Sequence, residues 1–343
     1  MARRTLTLML SGLLAVVLTA GASAATVPYV AYQPGPTFDT LGEVDGTPVI
    51  QVSGREVFET EGRLDLTTIS LRSQLTLTEA VIGWLRRDRA VVPRELVFPP
   101  GQTDDEVRQR NAERLIASET AATTAALRQL GVPFTVQVRV DAVQPGLPAE
   151  GRLQDGDVIT SVDGERVTGS EDLRDRVSSR DPGTSLQIGY LRDDVEQSTE
   201  LVTAEPPSGD ARSVIGVQLA EVAEYPFEVD ITLKDVGGPS AGLMFALGIL
   251  DKLGPESLTG GLYIAGTGEI STEGDVGAIG GISQKIAAAE AKGADAFLVP
   301  DGNCAEAVDS APDDIRLVRV ATLQGALDAL EALREDGAPP PTC

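Results

Sequence analysis

The chain opens with a run of apolar residues, Leu6 to Ala20, behind the positive pair Arg3 and Arg4. Ala22-Ser23-Ala24 then gives a small-x-small pattern, so residues 1–25 are expected to be a cleaved signal peptide or a retained signal anchor. Either way the positive end stays inside, and the rest of the chain is expected outside the cytoplasm. "YVAYQPGPTFDTLGEVDG" is rich in proline and glycine, and residues 26–46 are expected to be an extended linker. "TPVIQVSG" and "GRLDLTTISL" pattern as strands. "LTLTEAVIGWLRRDR" has helical spacing at Leu77, Val81 and Leu85, and "VVPRELVFPPGQT" breaks that pattern with prolines. A long helix is predicted over Asp104–Leu130, capped by Thr103, stopped at Gly131, with an apolar stripe of Leu115, Ala122, Ala126 and Leu130.

Strand alternation follows at Val136, Val138 and Val140 and again in "DVITSVDG", with Asp155-Gly156 and Asp163-Gly164 at turns. A short helix is predicted at about Ser170–Ser179, then the strands "SLQIGYLRD" and "STELVT". "EPPSGDARS" reads as a linker, and the final block starts with the strands "IGVQLAEV" and "FEVDITL". The helix of "GGPSAGLMFALGILDKLG" carries an apolar stripe of Leu243, Leu247 and Leu250 and stops at Gly254. A second helix, "ISQKIAAAEAKG", has Ser283 as a candidate cap and Gly293 as its stop. The tail "EDGAPPPTC" is expected to be loose.

With 343 residues and 42% hydrophobic content the chain is long enough for more than one cored domain. Its net charge of -24 would repel phosphates, which excludes nucleic acid as a partner. Cys304 and Cys343 are the two cysteines, and the sequence leaves their pairing open. There is no histidine and no CxxC, so no metal site is expected.

The absence of histidine also limits the chemistry of serine. Ser240, in "GGPSAG", sits where a helix begins. Taken alone it reads as a nucleophile or as an ordinary helix cap. A helix start offers unpaired N–H groups to an oxyanion, and Gly237 and Gly238 let a carbonyl approach closely. A nucleophile here needs a base other than histidine, and the chain has only Lys234, Lys252, Lys285 and Lys292 as amines. Lys285 falls in the first turn of its helix, where the dipole disfavours a cation and favours the neutral amine. Lys292 lies at the opposite, stabilising end, Lys252 ends the helix after Ser240, and Lys234 is the one rival close to Ser240 in sequence.

Two stretches carry resemblances. "PGLPAEGRLQDGDVITSVDGERV" and "DPGTSLQIGYLR" resemble a PDZ domain of the bacterial protease-associated kind, over residues 133–204. That implies a module taking extended peptide ends onto a sheet edge. "GGPSAG", "GTGEIS", "GGISQK" and "FLVPDGN", in that order, resemble the proteolytic domain of Lon-type serine proteases. Upstream, "GRLDLTTISL" is similar to that domain's first strands, and "RLIASETAATTAALRQLG" to its first helix, with a Ser-Glu pair before an alanine-rich run.

The resemblance implies an α+β proteolytic domain in two parts, 47–132 and 205–334, around a PDZ insert, with a flexible tail at 335–343. It implies a Ser–Lys dyad of Ser240 and Lys285, with Thr267 orienting the amine, and an oxyanion hole of backbone N–H groups at Gly238, Pro239 and Ser240. The implied protein is a PDZ-containing Lon-like endopeptidase acting on protein or peptide substrates, with C-terminal ends taken by the PDZ domain. A ring of identical subunits and, if the first segment is retained, a membrane attachment are further implications. No P-loop GxxxxGK[ST] is present, so no ATP or other cofactor is expected. A non-catalytic PDZ adaptor with an inactive Lon-like block is the alternative. Many Lon proteases have an aspartate where this chain has Gly237, which puts control of the active conformation in question.

Overall fold

The structure is a computed structural model. It describes residues 2–343 except 87, 99–100, 102, 207–211, 234–235, 311–313 and 335–338. Lys234 and Asp235 therefore lie outside the described residues, as do parts of the expected linker at 205–213 and of the tail. The chain forms two compact units, one of 1–132 with 227–343 and one of 133–226. The second is inserted in the first.

The larger unit is built on a six-stranded mixed sheet, in the order Arg316–Val320, Ala296–Pro300, Tyr263–Gly266, Arg63–Arg72, Tyr29–Asp39 and Ala90–Pro93. The first four strands run parallel, and of these Ala296–Pro300 is an apolar run buried at every residue, as a strand covered on both faces must be. The last two pair antiparallel. The helix Ile282–Ala291 buries Ile282, Ile286 and Ala289 against Ala265, Phe297 and Val299 of the sheet. The helix Gly242–Leu253 is buried on every side from Gly242 to Asp251, well beyond the predicted stripe of Leu243, Leu247 and Leu250.

Residues 26–46 are no linker, since Tyr29–Asp39 is an inner strand of the sheet. Its prolines mislead because they sit at a register shift between Pro34 and Thr37, where a missing N–H costs no ladder bond. The Leu77–Leu85 helix forms, but Leu77, Val81 and Leu85 face solvent while Ala80 and Gly83 are buried. The long helix runs Asp104–Gln129, and Thr103 caps it in a capping box with Glu106. Its stripe holds at Leu115, Ala122 and Ala126, while Leu130 is only half-buried. The tail does not hang free at its end: Cys304 and Cys343 form a disulfide, and Arg319 donates its N–H to Pro341.

The smaller unit is a sheet in the order Val195–Val202, Ser185–Arg192, Val158–Val162, Thr135–Val143 and Val217–Glu224, with the helix Ser170–Ser178. Its core gathers Val138, Ile159, Leu173, Ile188 and Leu201. The expected boundary at residue 204 is too early. "IGVQLAEV" is not the first strand of the final block but the edge strand of this sheet, paired with Thr135–Val143 over eight residues. The alternation along the strand gives no sign of which sheet it joins, and the turn residues before it mimic a domain boundary.

Candidate functional site

Ser240 stands in the turn before the helix Gly242–Leu253, whose N-cap is Ala241 with no side-chain cap bond. The serine hydroxyl is thus free of capping duty. It faces Lys285, whose Nζ lies 2.7 Å from Ser240 Oγ. Lys285 also donates to Thr267 Oγ1 at 2.8 Å, and Thr267 donates to the Ser240 carbonyl at 2.9 Å. That last bond fixes the direction of the network. The threonine proton is on the carbonyl, so Thr267 presents a lone pair to the amine. One N–H of Lys285 is held by Thr267, leaving the rest of the nitrogen directed at the serine.

Lys285 is only 2% exposed, and burial pulls its ammonium down to a pKa of about 7. The magnitude matters. An ordinary lysine at pH 7 is neutral in about one molecule in three thousand, whereas an amine with a pKa near 7 is neutral in about half. Among the described residues, the shift comes from desolvation by burial. The helix supports it, because Lys285 N–H makes the bond to Gly281 that starts the helix, close to its positive end. Gly281, in the left-handed conformation, is the N-cap. Ser283 does not cap the helix: its hydroxyl reaches Glu306 at 3.4 Å. Asn303 braces the approach to this turn, accepting from the Ile279 N–H and donating to the Ile279 carbonyl.

The long helix holds the serine turn from the other side. Gly238 N–H donates to the Asn111 carbonyl at 2.8 Å, and Ser118 Oγ donates to the Pro239 carbonyl at 2.9 Å. Two consequences follow. Gly238 has its N–H already bonded and proline has none, so of the three expected oxyanion donors only the Ser240 N–H is left. The peptide between Pro239 and Ser240 is planar, so fixing its C=O also aims the Ser240 N–H in the opposite direction. Asn111 and Ser118 are missed by reading the sequence for chemistry. The Ser-Glu pair was the available signal, but spacing alone does not say what Ser118 touches.

The same closeness accounts for Gly237. A Cβ at this position would stand 3.0 Å from Asn111 Cβ, so an aspartate needs the long helix or the turn to move. Elsewhere, Lys252 donates to the Leu41 carbonyl and Lys292 is the C-cap residue of its helix, so neither points at the serine.

Residues 231–330 match the model of the Lon protease C-terminal proteolytic domain, and residues 107–203 match that of the PDZ domain. This chain carries a Lon-type proteolytic domain. Lon protease 2 of Bacillus subtilis is 32% identical over 139 residues, 39% of this chain and 24% of that relative. The peroxisomal Lon protease homolog 2 of Eremothecium gossypii is 26% identical over 249 residues, 68% of this chain and 22% of that relative. The chain thus spans about a quarter of these curated relatives. Among solved structures, the PDZ domain of an SdrC-like protein from Listeria monocytogenes is 26% identical, with a TM-score of 0.23, over 24% of this chain and 85% of that one. The PDZ match begins inside the long helix of the Lon-type unit and ends before the edge strand, whereas the compact unit runs from Pro133 to Pro226.

The PDZ unit has a groove of about 920 Å³, and no residue of the dyad belongs to it. One wall is the helix Ser170–Ser178 and the other the edge strand Val217–Glu224, with Leu173, Val177, Ile215 and Val217 among its apolar residues. Glu221 ties the two walls, accepting from the N–H and the hydroxyl of Ser170.

Proposed function

We propose that the protein is a Lon-type serine endopeptidase that works without ATP, outside the cytoplasm, through a dyad of Ser240 and Lys285. The observation that carries this reading is the buried amine of Lys285 at 2.7 Å from the Ser240 hydroxyl. In its neutral form the amine accepts the serine proton as Oγ attacks a peptide carbonyl. The Ser240 N–H meets the developing oxyanion. The ammonium then returns a proton to the leaving amine, and water hydrolyses the acyl-enzyme by the same base. Thr267 keeps the nitrogen aimed at Oγ throughout.

ATP independence is part of this reading, and it calls for substrates that are already unfolded or exposed. The groove of the PDZ unit presents an unpaired strand edge, which suits an extended peptide end added as a further strand. It would deliver substrate or gate the site. The positive start and apolar run of the first segment support export, either as a signal or as a retained anchor. Ring assembly of the Lon-type unit belongs to the same reading.

The test is to incubate the full chain with an unfolded protein, without nucleotide, beside Ser240→Ala and Lys285→Ala. Cleavage by the wild type and by neither variant is expected. Equal cleavage by all three would remove the dyad, and no cleavage by any would favour a PDZ adaptor.

A further inference from the structure

A hydrophobic face lies outside the dyad and the groove, on the helix Leu77–Leu85. A capping box of Thr76 and Glu79 fixes the start of this helix. Gly83 turns inward, so close to the strand Ala90–Pro93 that a Cβ there would stand 2.5 Å from Val91 Cγ2. That contact sets the rotation of the helix and sends Val81, Ile82, Trp84 and Leu85 outward. Leu85 is 82% exposed and Trp84 is 55% exposed. Trp84 is nevertheless held in place: its indole N–H donates to the Val91 carbonyl, and its ring meets Tyr29 edge-on at 5.5 Å. Large apolar side chains grouped on one exposed helix face mark an interaction surface.

Two further observations say what kind. The N-terminal helix Ala2–Ala24 packs against this one. Between them, the Leu77 N–H donates to the Ala25 carbonyl and the strand Thr26–Val27 pairs with Leu75–Thr76. Leu6, Leu10, Leu13 and Val17 of the N-terminal helix are also exposed, so two apolar helices share one edge of the unit. Among the described residues, no helix is long and apolar enough to cross a membrane. The charge is also local. In a chain of net charge -24, the stretch around the helix holds Arg72, Arg86, Arg87, Arg89 and Arg94 against Glu79, Asp88 and Glu95, a surplus of positive charge that remains after Arg72 pairs with Glu79 and Arg86 with Asp88.

We propose that this face docks the protein on the surface of an anionic lipid bilayer. Val81, Ile82 and Leu85 enter the boundary between headgroups and acyl chains, Trp84 sits at headgroup depth, and the local surplus of positive charge favours anionic headgroups. The acidic chain as a whole is repelled by the same surface, which favours an approach by this locally basic edge. The proposal does not depend on the dyad. It differs from a simple N-terminal anchor in placing the folded Lon-type unit itself in contact with lipid.

Trp84 is the only tryptophan in the chain, which makes the test specific to this face. The full chain is mixed with vesicles of phosphatidylcholine and phosphatidylglycerol containing brominated phosphatidylcholine, and Trp84 emission is recorded. A blue shift is expected, with emission quenched to about half or less, protection from aqueous acrylamide, and a weaker effect on phosphatidylcholine alone. The double variant Ile82→Glu, Leu85→Glu should lose most of the quenching while keeping its circular dichroism. If the chain sediments with vesicles but Trp84 stays unquenched and open to acrylamide, the N-terminal helix binds alone and the proposal fails. It also fails if the chain ignores vesicles, or if Trp84 becomes protected without lipid as protein concentration rises, since a second copy then covers the face.

Discussion

In the Lon-type unit, the polar groups of the proposed chemistry are buried and bonded to one another. In the PDZ unit, among the described residues, the edge strand of the sheet is paired along one side only. Lys285 loses water so completely that its charge becomes unstable, and three bonds among Lys285, Thr267 and Ser240 fix where its nitrogen points. The edge strand Val217–Glu224 instead pairs on one side only and faces the helix Ser170–Ser178 across a groove. A general base gains from desolvation because its neutral form is the working one. A peptide-binding edge needs unpaired backbone groups that water satisfies until a ligand arrives. The two units therefore place opposite demands on the same kinds of atoms, and substitutions should separate them.

The largest effect is expected at the amine. Lys285→Arg keeps a cation but cannot lose its proton, so it should fall by about a thousandfold or more in kcat, as removal of a catalytic partner does elsewhere. Steady-state cleavage of an unfolded protein measures this, and substantial activity in the arginine variant would mean that Lys285 acts only as a charge. Thr267→Val keeps the shape of the side chain and removes both of its bonds. A loss of roughly 10- to 100-fold is expected, with the apparent pKa of the reaction displaced. Ser118→Ala should lower kcat by about tenfold with KM nearly unchanged, because it releases the peptide that aims the Ser240 N–H. Loss of affinity for a peptidyl boronate should parallel the loss in kcat, and Ser118→Thr should recover part of both. On the other side of the comparison, Ser178→Trp fills the groove. It should weaken binding of a fluorescent peptide with a free C-terminus by about tenfold while leaving turnover of a short chromogenic peptide unchanged.

Much of the Lon-type site was legible because its parts are short segments of strong local character. "GGPSAG" and "GGISQK" each open a helix, and their glycines mark the turns whatever surrounds them. The PDZ sheet was legible for the same reason up to Val202, where turns and alternation agree. What escaped depends on contacts between distant residues. Nothing local distinguishes the edge strand of the inserted sheet from the first strand of the next block. Nothing in an alanine-rich helix says that Asn111 and Ser118 hold the serine turn, or that this takes up the Gly238 N–H. The Leu77–Leu85 helix misled in the opposite way. Its apolar spacing predicts a buried stripe, yet the small residues Ala80 and Gly83 are the ones that pack inward. The Pro-Gly stretch before it reads as a linker because the bulge that accommodates its prolines is a tertiary feature.

The central claim is that Lys285 is a neutral base poised on Ser240 by burial. Its most direct test is the rate of Ser240 acylation by an activated peptide ester, followed in single turnover from pH 5 to 9. Because the working form is the deprotonated amine, the rate should rise with pH and level off above a midpoint at about 7. Lys285→Ala should be slow at every pH. A rate that stays flat across this range, or that rises only near the ordinary lysine pKa, would contradict the account.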